Sequence, residues 1–107
     1  MNSNILTQLL KFLEEDPNDP FIIYGIAMEY SKSDFEKGME YFNRLLNHHP
    51  DYVPTYYHAG KLLEKLGKAD EAIAVYKKGM DISRGVGNHH AHTELQSALN
   101  QLLDNEE

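Results

Sequence analysis

Apolar positions along the chain recur at helical spacing. Ile5, Leu6, Leu9, Leu10, Phe12 and Leu13 form a wide stripe, which predicts a helix over residues 5–13. Residues 14–19, EEDPND, read as a turn. Asp19 followed by Pro20 then supplies a cap acceptor and a proline at a position where no N–H is missed, so a second helix is expected over residues 20–31. Ser33 and Glu36 have capping-box spacing and open a third helix that lasts to about Asn47, closed by His48, His49 and Pro50. Asp51 is the expected cap of a fourth, with Pro54 in its first turn and its end near Leu66. Gly67 provides a left-handed exit. A fifth helix is expected over 68–83, a flexible turn over 84–88 and a sixth helix over 88–103. The sixth carries Ala91, Leu95, Ala98, Leu99, Leu102 and Leu103 on one side, and a frayed tail, DNEE, follows it. The reading is all-α, six helices without strands, and the short connections make neighbouring helices antiparallel.

Two stretches of this pattern match. Phe21-x-x-Tyr24-Gly25-x-x-Met28 precedes Gly38-x-x-x-Phe42 and Pro50; Tyr56-x-x-Ala59-Gly60-x-x-Leu63 precedes Ala72-x-x-x-Tyr76. Gly38 and Ala72 are 34 residues apart. The period and the order of small and aromatic residues resemble the tetratricopeptide repeat. The first match has one extra residue between Gly25 and Gly38, and the closing proline, Pro50, is replaced by Arg84 in the second. Ile5-x-x-x-Leu9 with Pro17 fits the second half of an earlier repeat. The resemblance implies a single domain over 1–107, stacked as a short right-handed superhelix. Its parts would be a half-repeat helix at 1–18, repeats at 19–52 and 53–86, and a capping helix and tail at 87–107. It also implies that Gly25 and Gly60 lie where the two helices of one repeat approach, opposite Gly38 and Ala72. Gly79 is expected where the second helix meets the next unit.

In this family the first helices of the repeats line a concave groove that holds a peptide segment of a partner protein. The positions so implied are Ile22, Ile26, Glu29 and Tyr30, with Tyr57, His58, Lys61, Glu64 and Lys65. Isoleucine, tyrosine and lysine together suit an apolar segment carrying an acidic group. Packing of the final helix against these residues is the competing expectation. A chaperone-tail clamp is not expected, because Ile22 and Ile26 stand where that subgroup of the family places lysine and asparagine. A second reading is a homodimer through the terminal helices, since the 5–13 stripe is broader than one contact face needs.

Composition narrows the alternatives. The 107 residues carry 10 Lys and Arg against 17 Asp and Glu, a formal net charge of −7. Phosphate backbones repel such a chain unless a basic stripe is set apart. Lys61, Lys65, Lys68, Lys77 and Lys78 are instead interleaved with Glu64, Asp70, Glu71 and Asp81, so no nucleic-acid partner is expected. No apolar run reaches the roughly 18 residues of a membrane span, and the N-terminal stretch has neither the basic opening nor the cleavage site of a leader. The expected location is cytoplasmic, without membrane attachment. With no cysteine, thiolate chemistry is excluded.

Three histidines, His89, His90 and His92, lie near Glu94. Adjacent helical residues diverge by about 100°, so the three do not converge on one ion, and no metal or other cofactor is expected. His48 and His49 suit a helix C-terminus. Glu14, Glu15 and Asp16 sit together in an exposed turn, as solvated charge. There is no G-x-S-x-G, phosphate loop or H-E-x-x-H. No nucleophile, base and orienting group can be assembled, so the expectation is a non-enzymatic adaptor or scaffold.

Overall fold

The fold, a computed structural model, is described over residues 3–105. Six helices occupy it: α1 (Ser3–Glu15), α2 (Pro20–Tyr30), α3 (Phe35–His48), α4 (Pro54–Lys65), α5 (Ala69–Gly85) and α6 (His89–Asn105). No strand occurs among the described residues. The chain divides into two compact units, one ending at His49 and the other beginning at Pro50. The first holds α1–α3 and the second α4–α6.

Local signals set the helix ends. Asp19 accepts a hydrogen bond from the Phe21 N–H at 2.9 Å, with Pro20 as the first helical residue. The α3 cap is Asp34, not Ser33: residues 31–33 form a turn on the carbonyls of α2, and Asp34 accepts from the Lys37 N–H at 3.1 Å. Asp51 does not cap α4. Val53 precedes the helix in a helical conformation, and the first amides bond backward, Thr55 N to Tyr52 O and Tyr56 N to Val53 O.

Gly67, at φ +76°, closes α4 with two bonds, its own N–H to Glu64 O and Lys68 N–H to Leu63 O. This is the Schellman arrangement. The same pair recurs after α5: Gly87 has φ +75°, its N–H reaches Arg84 O, and Asn88 N–H reaches Ser83 O at 2.8 Å. The stretch expected to be a flexible turn is therefore mostly the last turn of α5 and its hydrogen-bonded stop. Asn88 then caps α6 by accepting from the Ala91 N–H at 3.0 Å. Of the expected frayed tail, Asp104 and Asn105 belong to α6, and Glu106 and Glu107 lie outside the described residues.

In the second unit the helices meet through two aromatic-on-glycine contacts. Tyr76 of α5 lies over Gly60 of α4; a β-carbon there would stand 2.6 Å from the ring's Cδ1 and Cζ. Tyr56 of α4 lies over Gly79 of α5, where a β-carbon would be 2.5 Å from Tyr56 Cβ and 3.0 Å from Leu95 Cδ1 of α6. Both rings are buried, so both hydroxyls need partners. Tyr56 donates to Pro50 O at 2.5 Å and Tyr76 to Glu64 Oε2 at 2.5 Å. Leu95, Ala98, Leu99 and Leu102 bury the inner side of α6, while Leu103 stays exposed.

The first unit departs from that plan. Gly25 approaches α1, not α3: its virtual β-carbon meets Leu9 Cδ1 at 3.3 Å. Phe42 is buried and meets Tyr24 edge-on at 6.4 Å. The positions that correspond to Tyr56 and Gly79 are Phe21 and Leu45. Leu45 is fully buried and Phe21 is 69% exposed. A leucine in place of the glycine removes the recess an aromatic ring would fill. On α1, Leu6, Leu9, Leu10 and Leu13 are half-buried, and Ile5 and Phe12 face outward.

Thermal or urea unfolding of single variants tests this packing. Gly60→Ala is expected to destabilise by about 1–3 kcal/mol through overpacking. Gly85→Ala, where a β-carbon meets nothing within 4 Å, should stabilise by a few tenths to about 1 kcal/mol. Tyr56→Ala should lose about 3–5 kcal/mol, and Phe21→Ser should stay within about 0.5 kcal/mol of the parent.

Candidate functional site

Helix α4 uses one side for Tyr56, Ala59, Gly60 and Leu63, all buried. Its other side carries Tyr57, His58, Lys61 and Glu64, all half-buried, and Lys65, exposed. The helical period brings Tyr57 and Lys61 together, and the Lys61 ammonium lies 5.6 Å from the centre of the Tyr57 ring. Tyr57 also meets His58 edge-to-face, with ring centres 5.3 Å apart. The face is thus an aromatic ring flanked by a cation and an imidazole.

Helix α6 bounds this face without covering it. Val53, Pro54, Tyr57 and His58 from the start of α4, with Asn88, Ala91, Glu94 and Leu95, line a cavity of about 160 Å³. Its wall is apolar on Pro54, Ala91 and Leu95 and polar on His58, Glu94 and Asn88. Burial pulls the His58 imidazole below its ordinary value, and the Glu94 carboxylate pushes back in the opposite direction.

Glu64 has a structural role that its place on this face did not announce. It accepts the Tyr76 hydroxyl, and the Lys61 Nζ lies 3.9 Å from the same Oε2. Burial, followed by the Glu64 bond and charge, holds the Tyr76 phenol far above its usual range. The carboxylate is therefore committed to the α4–α5 contact. Twelve residues separate the two, which no periodic pattern reveals.

Ile22, Ile26, Glu29 and Tyr30 lie on α2, in the first unit. Ile26 has no exposed surface and belongs to the core, so it is not a contact residue. Ile22 is half-buried. Glu29 pairs with Lys32 at 3.0 Å, and Tyr30 stacks on Tyr41 of α3 with ring centres 5.7 Å apart. Of the expected residues, the structure joins Tyr57, His58, Lys61 and Glu64 into one contiguous patch. The sequence reading missed Glu94 and Asn88. Their only signal was that just three residues separate the end of α5 from the start of α6, which folds α6 back along its neighbour.

The α6 histidines make separate contacts. His90 lies 3.9 Å from Glu94, and the His92 Nε2 accepts from Arg84 at 3.1 Å. Among the described residues no three His, Asp or Glu side chains come together as a metal site. None of the described helices is long and apolar enough to cross a membrane.

The comparisons with known proteins agree with this geometry. The tetratricopeptide repeat family model matches residues 53–85. A tetratricopeptide repeat domain protein from Salinibacter ruber, solved by solution NMR, is 41% identical; the match covers 81% of this chain and 89% of that one, with a TM-score of 0.77. A protein from Bordetella parapertussis shares the fold at 20% identity, over 99% of this chain and 92% of its own, with a TM-score of 0.84. PcrH, solved in complex with the chaperone-binding region of PopD, shares it at 10% identity, over 95% of this chain and 78% of its own, with a TM-score of 0.87. No curated protein matches the chain.

The His58 environment makes stability depend on pH. The unfolded chain takes up the imidazole proton near the ordinary value, about 6.5, before the folded chain does. The neutral ring's contribution is therefore present above that value and is lost as pH falls through it. Melting temperatures measured from pH 7.5 to 5 should fall more steeply for the parent than for His58→Gln.

Proposed function

The chain belongs to the tetratricopeptide repeat family, and on that footing we propose that it is a non-enzymatic interaction module that binds a peptide segment of a partner protein. The family is generally a non-catalytic scaffold, and its fold is typical of protein–protein interaction. The repeat units in this reading are 19–52 and 53–86, with a preceding half-repeat helix at 1–18 and a closing helix and tail at 87–107.

The observation that carries the proposal is the α4 face. An aromatic ring, Tyr57, stays half-exposed beside an open cavity, with Lys61 on one side of it and Lys65 one turn further along. Half-exposed aromatic residues next to a recess are the usual anchors of interfaces. An apolar side chain of the partner would enter the cavity against Pro54, Ala91 and Leu95. An acidic group beside it would meet Lys61 and Lys65. The complex of PcrH with a segment of PopD supports the peptide class of ligand. On α2, Ile22, Glu29 and Tyr30 remain proposed contacts, and Ile26 does not.

A second reading has its own observation. Ile5 and Phe12 are 45% and 49% exposed, two turns apart on α1. Such a stripe fits an isologous dimer between two copies.

Two experiments separate these readings. A Tyr57→Ala/Lys61→Glu variant with an unchanged melting curve should lose a protein that the parent recovers from native lysate. Equal recovery by both rules out the α4 face. Sedimentation equilibrium reports the dimer: Phe12→Ser should shift a dimeric parent to monomer, and a parent that is monomeric throughout removes that reading.

A further inference from the structure

The first unit holds a second recess, about 320 Å³, lined by Pro17, Asn18, Ile23, Arg44, His48 and His49. It involves neither the α4 face nor the α2 residues of the proposed contact surface. Its lining has a distinctive composition for a chain of net charge −7. One guanidinium and two imidazoles contribute, and no carboxylate does. Asp16 and Asp19 flank Pro17 and Asn18 in the turn between α1 and α2, outside the lining, and the Asp19 carboxylate is occupied with the Phe21 N–H. Glu40 lies one turn before Arg44 on α3 and is exposed.

The position at the end of α3 explains two of these residues by itself. Histidines complement the partial negative charge of a helix C-terminus, which accounts for His48 and His49. It does not account for Arg44, a full turn earlier. The Arg44 guanidinium lies 5.1 Å from the centre of the Tyr41 ring, and Tyr41 in turn stacks on Tyr30. The contact is a cation–π one. The guanidinium's N–H edge makes no hydrogen bond or ion pair among the described residues. A guanidinium held in this way, with no ion pair among the described residues, keeps N–H donors for a two-oxygen anion. The apolar lining is the exposed Pro17, with Ile23 buried in the core.

We propose that the recess between the α1–α2 turn and the end of α3 binds an acidic side chain of a peptide, its carboxylate on the Arg44 guanidinium and its methylene stem against Pro17. A side chain with an apolar stem and a charged tip matches both halves of the lining. A bare inorganic anion would use the cationic half and leave the apolar wall uncovered. His48 and His49 flank the carboxylate, as donors when protonated or as N–H donors in the appropriate tautomer.

The test is a titration of the full ¹⁵N-labelled chain, followed by amide shifts. The probe is acetyl-Leu-Glu-Leu-Glu-amide, with the glutamine analogue and inorganic phosphate as separate arms. The glutamate peptide should shift the amides around Arg44, His48 and His49, and the glutamine analogue should bind about tenfold more weakly. Arg44→Ala should weaken binding by about tenfold and Arg44→Lys by several fold, because a lysine keeps the charge and loses the fork. Both substitutions are at an exposed position and should leave the melting curve in place. The Tyr57→Ala/Lys61→Glu variant should bind the probe at this recess as the parent does, whatever becomes of the α4 face. Shifts confined to Lys61 and Lys65, or binding unaffected by Arg44→Ala, would overturn the proposal. So would phosphate binding at Arg44 as tightly as the peptide, which would make the occupant a free anion.

Discussion

The packing of α4, α5 and α6 depends on one reciprocal contact. Each of two antiparallel helices presents a tyrosine to a glycine on the other, Tyr56 to Gly79 and Tyr76 to Gly60. Removing the β-carbon lets the ring lie against helix backbone, so that two large side chains are buried without separating the helices. Glycine in a helix interior costs about 1 kcal/mol against alanine, and the two buried rings offset that cost. The same geometry fixes where the hydroxyls end. Tyr76 reaches Glu64 and Tyr56 reaches the Pro50 carbonyl, which ties the start and the end of α4 to its neighbours. Gly79 also lies against Leu95, so the one position without a side chain serves α4, α5 and α6 together.

That contact shows which features the sequence revealed. The helices and the repeat could be read because apolar period, caps and small-residue spacing are local or regular. Asp19, Gly67 and Gly60 behave as their positions imply. Regularity misled where the repeats differ in a single partner. Phe21 occupies the register of Tyr56, but Leu45 stands where Gly79 would be needed, and the ring points to solvent. Gly25 matches Gly60 in the pattern, yet its free space receives Leu9 of α1. A repeat motif records one side of each contact. The outcome depends on the residue opposite, which lies on another helix at an irregular distance.

The same limit applied to the α4 surface. Tyr57, Lys61 and Lys65 could be placed on one side of the helix from spacing alone. The commitment of Glu64 to Tyr76 and the proximity of His58 to Glu94 could not, because both depend on how α5 and α6 lie along α4. Ile26 was misassigned for a related reason: periodicity tells which residues share a face, and burial depends on what packs there.

These commitments fix where the charges of α4 are directed. By sequence its outward side alternates in sign, Lys61, Glu64, Lys65, and should attract neither charge strongly. In the folded unit the Glu64 carboxylate is turned to the Tyr76 hydroxyl and partly screened by Lys61, while Lys65 stays exposed. The bond leaves the Glu64 charge in place and turns the carboxylate towards α5, so that the same three charges of this end of α4 are differently directed within a chain of net charge −7. In the other unit Arg44 lies over the Tyr41 ring and has no ion pair among the described residues. An overall acidic chain repels polyanions at long range, whereas a short acidic segment would feel individual cationic groups only at contact distance, which is the scale on which the proposed sites would act.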